Sequence, residues 1–112
     1  MRTIIQDNQR GLLFKNGKFV KLLEAGKYFT FGNQNIEIVS LDGPLASDSC
    51  SPEVLLLNEK VAKQTDTVDV ADEELALHFI NGKFEEILRR GKYTFWSVIK
   101  KHDFIKTSIQ TP

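Results

Sequence analysis

Apolar and polar positions alternate on both sides of two Asn-Gly pairs in this chain. The first pair is Asn16 and Gly17, and the second is Asn81 and Gly82. Such a pair between two alternating runs favours a two-residue β-hairpin, because both turn positions need a positive φ that these residues tolerate. We therefore predict two hairpins, each flanked by further strands, so that each copy forms a small antiparallel β-meander of four or five strands.

The two hairpins belong to an internal repeat with a constant offset of 65 positions. Ten of the seventeen positions in residues 12–28 are identical to their counterparts in residues 77–93. Self-similarity in one register is the sequence signature of a repeated structural unit. We divide the chain into a first β repeat at residues 1–42, a loop and connecting helix at 43–66 and a second β repeat at 67–112, packed as one compact module.

Strand alternation assigns one face of each hairpin to the core. The core face predicted for the first hairpin consists of Leu12, Phe14, Phe19 and Leu23. Its opposite face carries Leu13, Val20 and Leu22, and apolar side chains grouped on a surface mark a candidate interaction surface. In the second hairpin the opposite face pairs His78 with Glu85, which we interpret as a solvated cross-strand pair.

The segment between the copies carries a helix signal. Ser51, Pro52 and Glu53 supply a capping hydroxyl, a proline at the first helical position and an acid in the first turn. Apolar positions follow at helical spacing. These features predict one helix from residue 52 to about residue 63. The fold class is therefore mainly β (α+β), with two repeated antiparallel β-meander units joined by one α-helix.

Charge and composition narrow the functional classes. Lys and Arg number 15, as do Asp and Glu, so the net charge is zero and binding to nucleic acid is not expected. A hydrophobic content of 41% is typical of a folded domain. The single cysteine, Cys50, the early polar residues and the short apolar runs indicate a cytoplasmic protein without a disulfide or a signal peptide.

The residues that could carry catalysis or bind a metal form no known pattern. His78 and His102 are the two histidines, and with one cysteine they match no zinc spacing. His78 beside Glu85 lacks a nucleophile at a matching turn, so we expect no catalytic residue and no cofactor. A solvated turn, rather than a calcium loop, is predicted for the acidic cluster Asp69, Asp72, Glu73 and Glu74.

A basic and aromatic stretch at residues 89–102 is the best indication of ligand binding. The members assigned to a candidate anion site are Arg89, Arg90, Lys92, Trp96, Lys100 and Lys101. Cations interleaved with aromatic rings suit nucleic acid or anionic lipid. The first copy has Glu24 and Ala25 at the two arginine positions, which weakens this interpretation. The alternative function is a small β module that binds nucleic acid or another anionic ligand.

Residues 10–28, with the sequence RGLLFKNGKFVKLLEAGKY, resemble a known family. They are similar to the segment that leads into the core domain of slipins, the bacterial stomatin-like members of the band 7 (stomatin/prohibitin/flotillin) superfamily. Residues 74–109 look like a second copy of that segment, most clearly in GKYTFW at 91–96. Some slipin-like proteins carry several such units in tandem before the band 7 domain.

The resemblance implies a non-catalytic structural and protein-interaction module in a longer, membrane-associated, homo-oligomeric scaffold. The family has no catalytic residues in this segment. Its partners would be further copies of itself or other segments of the full-length protein. Membrane contact, at the inner face of the membrane, would come only through parts outside this sequence. Because the band 7 domain begins after a unit of this kind, we expect an N-terminal piece of a chain that continues beyond Pro112.

Overall fold

The computed structural model describes residues 1–109, so residues 110–112 of the predicted second repeat lie outside the described part. The first unit contains β1 (Arg2–Ile5), β2 (Gln9–Lys15), β3 (Lys18–Leu23), β4 (Gly26–Phe29) and β5 (Gln34–Ser40). The second unit contains β6 (Thr65–Val70), β7 (Glu74–Ile80), β8 (Lys83–Leu88), β9 (Gly91–Trp96) and β10 (His102–Ser108). The prediction of a mainly β protein with two related antiparallel units is confirmed.

Both units have the same strand order. The order is β3-β2-β5 beside the pair β1-β4 in the first unit, and β8-β7-β10 beside the pair β6-β9 in the second. All of these pairings are antiparallel. The order is not that of a simple meander, because the strand after each hairpin pairs with the first strand of its unit. Each unit is therefore a three-stranded sheet accompanied by a two-stranded one.

The two hairpin turns form as predicted. Asn16 and Asn81 have φ values of 55° and 52°, and the glycines that follow have 76° and 81°. Both residues of each turn thus adopt the left-handed conformation that a two-residue hairpin of this type requires. In the strands beside the first turn, Phe14 lies opposite Phe19, and beside the second turn Phe79 lies opposite Phe84. The two rings of each pair make an edge-to-face contact.

A β-bulge shifts the register two residues beyond each turn. Leu13 lies opposite Lys21, so Val20 is the extra residue of β3. His78 lies opposite Glu86 in the same way, and Glu85 is the extra residue of β8. The predicted pairing of His78 with Glu85 is therefore wrong. A bulge of one residue exchanges the faces of all side chains that follow it, because side chains alternate along a strand.

The bulge also corrects the predicted faces of the first hairpin. Leu22 lies opposite Leu12 and is buried with it, so it belongs to the core and not to an outward surface. Leu23 lies on the other face, opposite Gly11. The grouping of Leu13, Val20 and Leu22 on one outward face is wrong. The other face packs against the β1-β4 pair so closely that a Cβ at Gly11 would collide with the side chain of Ile5.

The connecting segment contains two short helices where the sequence predicts one. They are α1 (Pro52–Leu55) and α2 (Glu59–Lys63). Asn58 ends the first helical stretch because it caps α2: its side-chain oxygen accepts hydrogen bonds from the backbone N–H of Lys60 and Val61. A residue in that position has extended backbone angles, so the helix cannot run through it. β6 then begins at residue 65, two residues earlier than predicted.

The molecule is elongated. Its principal extents are 61 × 26 × 20 Å, and its radius of gyration is 16.4 Å. A compact chain of this length has a radius of gyration of about 13 Å. The predicted single compact module is therefore not what the structure has. The two units contact each other mainly through residues 41–64, which we call the linker, and through the end of β9.

Candidate interaction surface

One face of the first unit is closed by parts of the chain that lie outside its sheet. We call this the docking face, and it consists of Leu12, Phe14, Phe19 and Leu22. One residue of β5, four linker residues and one residue of the second unit complete the buried cluster: Val39, Leu41, Leu45, Leu55, Val61 and Trp96. A helix pair and an indole thus cover the apolar sheet, which removes its surface from water.

Trp96 lies at the end of β9 and reaches into the core of the first unit. It is 0% exposed. Two backbone hydrogen bonds hold this end of β9 on the linker: the Trp96 N–H donates to the Gly43 carbonyl at 3.2 Å, and the Leu45 N–H donates to the Thr94 carbonyl at 2.8 Å. The indole N–H is buried and has no hydrogen-bond partner within residues 1–109. Trp96 is therefore the side chain that joins the two units.

Polar contacts surround this junction. Arg10 Nε donates to the side-chain oxygen of Gln64 at 3.0 Å, and the Gln64 carbonyl accepts from the Ser97 N–H at 2.9 Å. Lys100 Nζ donates to the Asp42 carboxylate at 2.6 Å. These contacts connect the first unit, the linker and the loop after β9, so they fix the angle at which Trp96 enters.

The linker is also anchored to β5 through a carboxylate. Glu37 accepts hydrogen bonds from the Ser47 hydroxyl at 2.6 Å and from the Asp48 N–H at 3.0 Å. Burial acts to raise the pKa of Glu37, but the hydrogen bonds from the loop outweigh it, and the pKa lies below the usual 4.5. The loop is therefore held in place before α1 begins.

The equivalent face of the second unit has no such cover among the described residues. The residues at the corresponding positions are Leu77, Phe79, Phe84 and Ile87, and Ile105 lies opposite Leu77 on β10. Ile87 is 50% exposed, whereas its counterpart Leu22 is 4% exposed. We call this surface the open face. The same apolar pattern is thus buried in one unit and accessible in the other.

The first unit in turn exposes two aromatic side chains next to the start of the chain. Phe29 is 64% exposed and Phe31 is 74% exposed. Phe31 stands 65 positions before Trp96, so it holds the place of the buried indole in the repeat. We call these two side chains the aromatic edge. Neither residue was among the predicted interaction residues, although the offset of 65 positions relates Phe31 to Trp96.

The histidine pair lies inside the second unit and not at its surface. His78 Nδ1 lies 3.1 Å from Glu86 Oε2, and His78 Nε2 lies 2.8 Å from His102 Nδ1. Phe95 and Phe104 stack on the His78 ring. The interpretation of His78 as solvated is wrong because the face of β7 that His78 shares with Ala76 packs against β6 and β9.

Burial, and next the neighbouring His78, lower the pKa of His102 from its usual 6.5. When Glu86 accepts a hydrogen bond from His78 Nδ1–H and His78 Nε2 accepts one from His102 Nδ1–H, the Nε2 atom of neutral His102 carries no proton. That atom is buried and has no partner within residues 1–109. Within residues 1–109, no three Asp, Glu, His or Cys side chains lie close enough together to hold a metal ion. The pair therefore serves to join β7, β8 and β10.

The structure disperses the predicted anion site. Arg90 Nη1 donates to Asp72 at 3.2 Å, and Lys101 lies 3.9 Å from Asp103. Arg89 and Lys92 are exposed, and Lys100 binds Asp42 as described above. The assignment of Trp96 to this site is wrong, because a fully buried indole cannot stack on a nucleobase.

A small groove also lies between the linker and β9. It has a volume of about 180 Å³ and includes Leu45, Leu56, Tyr93 and Phe95 in its lining. Ligand pockets are typically about 300–1,000 Å³. The groove is therefore smaller than a site for an ordinary metabolite.

Of the predicted acidic turn, Asp72 and Glu73 form an exposed turn, whereas Asp69 lies in β6 and Glu74 begins β7. The Glu74 carboxylate accepts a hydrogen bond from the Ala71 N–H.

No protein-family model matches this chain, and no curated protein or solved structure matches it either. Within residues 1–109, the helices are all too short and too polar to cross a bilayer.

Proposed function

We propose that this chain is a non-catalytic structural and protein-interaction module that works by stacking repeated units. In each step of the stack, the docking face of one unit receives a linker and an aromatic side chain from the next. The observation that supports this most directly is the contrast between Leu22, which the linker and Trp96 bury, and Ile87, which holds the same position on the open face.

The open face has the properties of a binding surface. Phe84, Ile87 and Ile105 are each at least half exposed and lie on β8 and β10, the strands on either side of β7. Contiguous apolar surface on a folded protein marks an interaction site, because its exposure to water costs free energy that a partner removes. Its match to the docking face favours a partner with the geometry of a linker and a following unit.

The wider context of this function rests on the sequence of the repeats. Residues 10–28 and 74–109 resemble the units that precede the band 7 domain of slipins. We therefore place the module in the N-terminal part of a longer, membrane-associated scaffold, on the cytoplasmic side. Stacking through sheet faces would suit such an assembly, because each added unit supplies the next open face.

An extended chain tests the stacking function. Ser40 and Ser108 end equivalent strands, since they lie opposite Gln9 and Glu74, which are 65 positions apart. Residues 41–109 can therefore be added directly after residue 108, which offers the open face a linker and a second copy of Trp96. We expect the added tryptophan to be shielded from acrylamide as well as the original one, and the chain to unfold at a higher temperature.

The matched control is the same extended chain with Ile87→Glu in its middle unit only. A buried carboxylate without a partner opposes docking, so the added tryptophan of this variant should be quenched freely. An added tryptophan that is equally exposed with and without the substitution would contradict the stacking function.

A further inference from the structure

We propose that a second copy of this chain binds the open face head to tail, with Phe31 of one copy in the place that Trp96 occupies in the first unit. This inference rests on the proposed stacking function and names the partner of the open face. The contact would join the aromatic edge of one molecule to the open face of the next.

The contact between the two units uses two different surfaces. One is the docking face of the first unit, and the other is the end of β9 with Trp96. A contact between unlike surfaces leaves one of each unused when the series stops. Within residues 1–109 the surfaces without such a contact are the aromatic edge of the first unit and the open face of the second, and another copy supplies what each lacks.

The aromatic edge is held in a fixed position before any partner arrives. The Met1 amino group donates to the Thr30 carbonyl at 3.0 Å, and the Thr30 N–H donates to the Met1 carbonyl at 3.0 Å. Gln34 Oε1 accepts a hydrogen bond from the Phe31 N–H. Phe31 thus follows a strand pair of the same register as the one that presents Trp96. A preorganised side chain loses less conformational entropy on binding.

The strands that carry the two surfaces also have complementary charge. β1 and β4 carry Arg2 and Lys27 and no acidic residue. Glu85 at the bulge of β8 is exposed and stands where the first unit has Val20, whereas Glu86 contacts His78 on the opposite face. Opposite charges beside an apolar contact favour encounter in one orientation.

The contact between copies is weaker than the contact within the chain. In the first unit the linker adds Leu45, Leu55 and Val61 to the cover over the docking face. A second copy brings the aromatic edge, while its linker already covers its own docking face. We therefore expect reversible association that grows with concentration and does not stop at a closed dimer, because a head-to-tail contact leaves both ends free.

Two single variants and their mixture test this geometry by sedimentation velocity. Phe31→Ser removes the ring that is proposed to enter the open face, and Ile87→Glu places a charge in the open face. Because the wild-type side chains are 74% and 50% exposed, both variants should keep the fold, which circular dichroism and the emission of Trp96 check. The wild-type protein should pass from mostly monomeric to mostly associated over roughly two decades of protein concentration. Each variant alone should stay monomeric.

The mixture of the two variants gives the decisive result. Phe31→Ser retains an intact open face, and Ile87→Glu retains an intact aromatic edge, so together they should form a one-to-one dimer and nothing larger. Val20→Ser is the matched control, because Val20 is 48% exposed but lies on neither surface, and it should associate like wild type. A mixture that stays monomeric while wild type associates would overturn the head-to-tail contact.

The extended chain separates this inference from the function on which it rests. If wild type is monomeric at every concentration and the added tryptophan of the extended chain is shielded, the second copy is not the partner, but stacking stands. If that tryptophan is exposed as well, both the inference and the stacking function fail.

Discussion

Leu22 and Ile87 show how one position of a repeat acquires two different roles. Both follow the bulge of their hairpin and lie opposite a leucine of the neighbouring strand. Leu22 touches the buried cluster that the linker and Trp96 complete, whereas the side chain of Ile87 stays half exposed. The free energy that each side chain contributes to folding is therefore set by its cover and not by its own strand.

Truncation of these two residues should have unequal effects on stability. Leu22→Ala should lower the free energy of unfolding by about 2–5 kcal/mol, because it leaves a cavity in a closed cluster. Ile87→Ala should lower it by less than about 1 kcal/mol, since water already reaches that side chain. Urea denaturation at low protein concentration, where copies do not associate, measures both. Equal losses would mean that the two faces have the same environment.

At the scale of elements, the histidine pair connects three strands of the second unit. His102 at the start of β10 contacts His78 of β7, which also contacts Glu86 of β8. The first unit has Leu13 where the second has His78, and its sheet forms the same pairings. The two units thus share one pattern of strand pairing, and only the second has the histidine pair. We expect this pair to make the stability of the second unit depend on pH.

The stability of the second unit should fall when the pH drops below 6.5. The burial of His102 lowers its native pKa from 6.5, with His78 and Lys100 acting in the same direction and Asp66 in the opposite one. Below pH 6.5 the unfolded chain binds a proton that the native ring does not, so the free energy of unfolding decreases as the pH falls and is fully retained above that value.

Urea midpoints of wild type and His102→Gln, measured between about pH 7.5 and about pH 5, test this dependence. Glutamine does not titrate, and its amide can still donate to His78. The midpoint of the variant should therefore depend less on pH than that of wild type. Parallel curves would show that His102 does not contribute to the pH dependence.

Much of each element was predictable from the sequence, and the failures have definite physical causes. The turns at Asn16 and Asn81 formed as predicted because their conformation is a local property of two residues. The bulges were not predictable, since Val20 and Glu85 fit an outward position in either register. The division of the helix depended on Asn58, whose capping role competes with an otherwise continuous apolar pattern.

At the scale of the whole molecule, the sequence predicts the repeat but not the way the two units meet. Trp96 and Phe31 are equivalent positions, and nothing in their neighbours distinguishes a buried ring from an exposed one. The difference arises because a linker follows the first unit and brings Trp96 onto its docking face. Burial that depends on segments distant in sequence is a tertiary property, so the candidate surface became visible only in the structure.

The proposed function treats the molecule as one step of a stack, because each unit exposes an apolar or aromatic surface. Its elongated form, with a longest extent of 61 Å, follows from units that meet through a linker and an indole rather than sheet to sheet. This arrangement explains why the two units have the same strand order and yet bury different amounts of the same face.

The most direct test of this account is a nuclear Overhauser spectrum of the chain at low concentration. Trp96 is the sole tryptophan, so contacts of its indole protons can be assigned without ambiguity. We predict contacts to leucine and valine methyl groups of the buried cluster in the first unit, which includes Leu12, Leu22 and Val61. An indole ring that instead contacts Leu77 and Ile87, or that gives no contact to the first unit, would contradict it.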